Sequence, residues 1–134
     1  MTSAAGIRFA AALACGLTLA HATSAQELTA PSGQVVSLFD VVLEPGNDMA
    51  RFRFLAPELG PDNGARTFES VQGDFKWLCE TTVLPALTAN DWHVDHIVIS
   101  LSDKEIAFGA TDPDVIQYFE GYRLNAGTCE WEMF

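Results

Sequence analysis

Two cysteines, Cys79 and Cys129, constrain what this chain can fold into more than any other feature, because the segment before them reads as an export leader. That segment is MTSAAGIRFAAALACGLTLAHATSA. Arg8 is its only charge, Phe9 to Ala20 are apolar or small, and Ala22-Thr23-Ser24-Ala25 places small residues where a signal peptidase reads. Cleavage is expected after Ala25, with Ala22 as the alternative. The apolar run, about 12 residues, is too short for a membrane anchor, since a spanning helix needs ~20. A lipoprotein would retain Cys15, but Ala12-Leu13-Ala14 precedes it and the apolar stretch continues past it. Export leaves Cys79 and Cys129, an even pair in an oxidising compartment, and a disulfide is expected. Its loop of fifty residues would contribute roughly 4 kcal/mol on the chain-entropy account. The alternative, a redox or nucleophilic cysteine, finds no C-x-x-C motif.

The 134 residues allow one domain. The expected division is a signal peptide at 1–25, a flexible lead-in at 26–33 and a single domain at 34–134. A hydrophobic fraction of 49% is too high for a disordered chain. Seven Lys and Arg against eighteen Asp and Glu give a net charge of −11, which argues against nucleic acid, whose phosphates need clustered cations. The length excludes a multidomain enzyme and a full-sized dinucleotide-binding fold.

Gln34–Glu44 is rich in β-branched residues and suits a strand. Pro45-Gly-Asn-Asp48 is a turn. In Met49–Leu55, Arg51 and Arg53 alternate with Phe52 and Phe54, predicting a hairpin strand with one apolar and one basic face. Pro57–Arg66 reads as loop. From Thr67 to Leu87 the spacing of Phe68, Val71, Phe75, Leu78, Cys79, Thr82 and Ala86 describes one helical face, with Thr67 as N-cap and Pro85 expected to end or kink the helix. Val94–Ser102 and Glu105–Ala110 read as a second hairpin about Asp103-Lys104. Asp114–Tyr122 reads as a short helix, capped by Asp112 and started by Pro113. Thr128–Phe134 alternates and reads as a final strand. The expectation is an α+β domain of ββαββαβ order. One antiparallel sheet of about five strands carries a long helix on one face, tied to the last strand by Cys79–Cys129.

Four constellations are worth weighing. His93, Asp95 and His96 are a candidate metal set, imidazole and carboxylate being common ligands of Zn, Cu and Fe. On a strand, however, His93 and Asp95 face one way and His96 the other. The plainer reading is a turn and strand start on an acidic surface. A serine-based triad lacks a G-x-S-x-G elbow. Calcium ligation at Asp112-x-Asp114 or Asp62-Asn63-Gly64 lacks the regular run of oxygen donors. Binding without chemistry remains: strong negative charge steers cationic partners, and Trp77, Trp92 and Tyr122 are candidate aromatic anchors. Acidity also serves solubility alone. No cofactor fingerprint is present.

The runs DFKWLCE, IVISLSD and FEGYRLNAGTCEWEMF carry Asp74, Phe75, Trp77, Cys79, Asp103, Phe119, Tyr122, Cys129, Glu130, Trp131 and Phe134. In these the chain resembles an alphaproteobacterial family of small exported proteins of unknown function. The resemblance implies an exported single domain with paired cysteines and carries no activity. The expected function is thus a periplasmic or secreted, non-enzymatic binding module for a cationic protein or envelope component, without a membrane span after cleavage. The alternative is a small metal-dependent enzyme using His93, Asp95 and His96.

Overall fold

The computed structural model describes Gly6, residues 10–17 and residues 26–133. Most of the expected leader and its cleavage point lie outside the described residues, as does Phe134. Cys15 is an exposed free thiol.

The strands are β1 (Glu27–Thr29), β2 (Val35–Glu44), β3 (Met49–Leu55), β4 (His96–Ser102), β5 (Gln117–Asn125) and β6 (Thr128–Glu132). They form one six-stranded sheet in chain order. The expected β2–β3 hairpin is present, with register from Ser37↔Leu55 to Glu44↔Met49 and an irregularity between Leu38 and Asp40. The sheet is not wholly antiparallel. β3 and β4 run parallel, from Met49↔His96 to Leu55↔Ser102. A parallel pair needs a crossover, and the long helix between them supplies it.

Alternation sorts the side chains. Phe52 and Phe54 of β3, Ile97, Ile99 and Leu101 of β4, and Tyr122 of β5 share the inner face. Against it pack Val71, Phe75, Leu78, Cys79, Val83 and Leu87 of the helix. The helix comprises α1 (Phe68–Leu78), a wide π turn (Cys79–Val83) and α2 (Leu84–Asn90). Thr67 caps it as expected, accepting from the Ser70 N–H. Pro85 does not end it. Leu84 donates five residues back, to the Cys79 carbonyl. The wider turn relieves the clash a proline ring makes with the carbonyl of the preceding turn. Cys79 and Cys129 form the expected disulfide, joining the π turn to β6.

Three further expectations are corrected. The lead-in 26–33 holds edge strand β1, paired to β2 at Glu27↔Ser37, Leu28↔Val36 and Thr29↔Val35. Buried Asp74 of α1 fastens it, accepting from the Ser32 N–H (2.9 Å), the Ser32 hydroxyl (2.5 Å) and the Gln34 amide (2.8 Å). Arg66 adds a second tie, donating to the Ser32 carbonyl (3.0 Å) and pairing with Glu58, which accepts the Val35 N–H (2.9 Å). The Val35 N–H, with Arg66, holds the Glu58 carboxyl below its usual range.

Second, Glu105–Ala110 is not a strand. Residues 103–116 form a strap across the outer face, pinned at its base by Asp103. Its N–H donates to the Ile116 carbonyl (3.1 Å), and its carboxylate accepts the Ile116 N–H (2.8 Å). Third, Asp114–Tyr122 is not a helix. Asp112 caps only a turn, accepting the Asp114 N–H (2.9 Å), and Gln117–Asn125 continues as β5. β5 pairs with β4 from His96↔Arg123 to Ser102↔Gln117, and its own inner face carries Tyr118, Tyr122 and Leu124. The β5–β6 hairpin closes through Ala126 and Gly127, both at positive φ (49° and 79°), the conformation of a two-residue type I′ turn.

Candidate functional site

His93 follows the αL residue Asp91 that ends α2. Its side chain is 87% exposed, with Nε2 2.9 Å from the Asp91 carboxylate. His96 opens β4 and lies 2.6 Å, through Nδ1, from Glu132 of β6. Asp95 between them acts through its backbone, its N–H donating to the Asp48 carbonyl (3.3 Å) and its carbonyl accepting from Leu124 (2.8 Å). Each histidine thus has its own carboxylate partner and neither partner is Asp95. Among the described residues no group of three His, Cys, Asp or Glu side chains is placed to hold a metal ion.

The same segment borders a broad groove of about 690 Å³, where α2 meets the sheet end. Asp48, Glu80, Asp91 and Asp95 bring four carboxylates to it. Trp92, half-buried, and Leu84 give it an apolar floor. Trp92 reaches this place because its N–H donates to the Leu87 carbonyl (2.9 Å), closing the chain back on α2 after Asn90. Of the three aromatic candidates, Trp92 lines the groove. Trp77 is half-buried against the core. Tyr122 is 3% exposed and belongs to the core, so it is no surface anchor. Burial, with the Glu120 and Glu80 carboxylates adding, raises its phenol far above the usual range. Trp131 is 62% exposed, with its indole N–H donating to Glu120.

A second hollow, about 210 Å³, lies on the outer face beneath the strap. Arg51 and Arg53 project into it from β3, Val98 and Ser100 from β4, and Phe119 from β5, with Phe108 of the strap over them. Arg53 is 6% exposed. It pairs with Asp40 (2.7 Å), donates to the Ile106 carbonyl (2.6 Å), and lies 5.0 Å from the Phe39 ring centre and 5.7 Å from that of Phe108. Arg51 also lies 5.7 Å from the Phe108 ring centre, with its Nε 3.3 Å from Glu44. Alternation placed the two arginines on one basic face. What it lacked was the strap, because 105–110 reads equally well as a return strand.

No helix among the described residues is long and apolar enough to cross a membrane. Neither the curated proteins nor the solved structures contain a match to the chain. A family of unknown function, DUF6497, matches residues 12–134, nearly the whole chain and all six strands with the helix and the disulfide, and the protein therefore belongs to that family.

Proposed function

We propose that this protein is an exported, non-catalytic binding domain that engages a cationic protein or envelope component through the groove at the end of α2. The carrying observation is the convergence of Asp48, Glu80, Asp91 and Asp95 around half-buried Trp92. Four carboxylates from three segments give a field that attracts Lys- or Arg-rich segments, and the indole supplies apolar contact area. The disulfide fits an oxidising compartment, and the leader-like segment 1–25 supplies the route to it. The paired substitution Asp91→Lys with Asp95→Lys tests the groove, because both side chains are exposed and neither makes a core contact. Crosslinking in the cells that make the protein should yield a partner adduct that the double variant loses. An adduct of unchanged yield would move the interface elsewhere. Intact mass of the protein from the same cells checks export: the expected mass is that of residues 26–134, less two hydrogens for the disulfide.

A further inference from the structure

We infer that the hollow beneath the strap is a binding site for a small carboxylate with a flat apolar body. This site is separate from the acidic groove and does not rest on it. In a chain with eighteen acidic residues, no acid lines this hollow, whereas two arginines do. The arginines' partners, Asp40 and Glu44, stand outside the lining, with side chains 38% and 24% exposed. Arg53, at 6% exposed, keeps its charge inside the hollow.

A second observation is independent of charge. The Ser100 hydroxyl is buried without a hydrogen-bond partner, whereas the Arg51 Nε faces the Glu44 carboxylate at 3.3 Å. Folded proteins rarely leave buried polar groups unpaired, so the Ser100 hydroxyl at this hollow points to a missing partner. A carboxylate carries two oxygens and up to four acceptor sites, enough for that hydroxyl and for the guanidinium charge beside it. The walls specify the rest of the ligand. Phe108 and Phe119 are 51% and 45% exposed, apolar ring surface that a flat ligand would cover. The volume of about 210 Å³ falls below the ~300–1,000 Å³ of drug-sized sites, which limits the occupant to roughly one ring with its acid. Inorganic phosphate would satisfy the donors and leave the rings wet. An uncharged hydrocarbon ring would cover the rings and leave the Ser100 hydroxyl unpaired.

The test titrates the disulfide-bonded protein with benzoate, benzyl alcohol and inorganic phosphate, followed by amide NMR shifts. Benzoate should saturate shifts at Ser100, Gly109 and Gln117. Benzyl alcohol should bind at least about tenfold more weakly, the factor a charge-assisted hydrogen bond is worth, and phosphate should bind more weakly because it covers neither ring. Phe108→Ala, at an exposed strap position, should weaken benzoate. Ser100→Ala should weaken benzoate while keeping or raising the melting temperature, because it deletes an unpaired buried hydroxyl. Four results would overturn the inference: no benzoate shifts in the hollow at millimolar concentration, benzyl alcohol binding equally (an apolar crevice only), phosphate binding equally (a plain anion site), or Ser100→Ala leaving benzoate affinity unchanged.

Discussion

At the scale of single residues, two titrating groups report on opposite ends of the sheet. Glu58 is held below the usual carboxylate range by the Val35 N–H and by Arg66. A depressed acid stabilises the fold above its unfolded-state value near 4.5 and loses that contribution as pH falls through the depressed value. Glu58→Gln should therefore lower the melting temperature at pH 7 and change it little in strong acid, which thermal melts across that range would show. Tyr122 behaves with the opposite sign. Its raised phenol keeps the proton longer in the folded state than in the unfolded one, so stability is present below pH ~10 and falls above it. Tyr122→Phe should flatten the alkaline decline seen in urea unfolding between pH 9 and 11. An unaltered decline would place its origin in another group.

At the scale of elements, the disulfide and the Asp74 anchor decide what stays together. Cys79–Cys129 fastens the helix to β6 across a loop of fifty residues. Cys79→Ser should cost about 2–5 kcal/mol in denaturant unfolding, and equal melting with and without reductant would refute the contribution. Asp74→Ala strips an acceptor from three donors on Ser32 and Gln34. Hydrogen bonds to a charged group are worth about 1.5–3 kcal/mol, so exchange of the β1 and early β2 amides should accelerate well ahead of the core. These elements differ in how far the sequence reveals them. The β2–β3 hairpin, the Thr67-capped helix and the disulfide were legible, because alternation, helical spacing and cysteine parity are local signals. β5 was not: Val115, Ile116, Phe119 and Tyr122 match helical spacing over one short run. The inward positions Tyr118, Tyr122 and Leu124 become a strand only through pairing with β4. β1 was hidden because three polar-flanked residues carry no period, and its anchor, Asp74, sits 40 or more residues away. The parallel β3–β4 pair was hidden because nothing local distinguishes a crossover helix from one laid on an antiparallel sheet. The candidate site was half visible. Trp92 lines the groove, while the hollow at Arg51 and Arg53 needed a strap that only tertiary contacts with Ile106 and Phe108 create.

At the scale of the whole molecule, a charge of −11 sets up a field that the two hollows use differently. The carboxylates at the α2 groove are largely exposed, so their pull on a cationic partner is long-ranged and screened by salt. The hollow beneath the strap works at contact distance. Its arginines are partly or wholly covered, and a small anion must approach it against the net field of the molecule. Salt should therefore separate the two. Raising ionic strength from about 0.01 M to about 0.15 M shortens the Debye length from ~30 Å to ~8 Å. Association of a Lys-rich peptide with the groove should slow by about tenfold or more over that range, within the span that electrostatic steering covers. Benzoate should bind as well or better at the higher salt, because screening removes repulsion from the surrounding acids while the buried donors keep their contacts. Stopped-flow association of the peptide and a benzoate titration at both salts measure this directly. If benzoate instead lost affinity in parallel with the peptide, its binding energy would lie in exposed, screened charge, and the buried Ser100 hydroxyl would not be its partner.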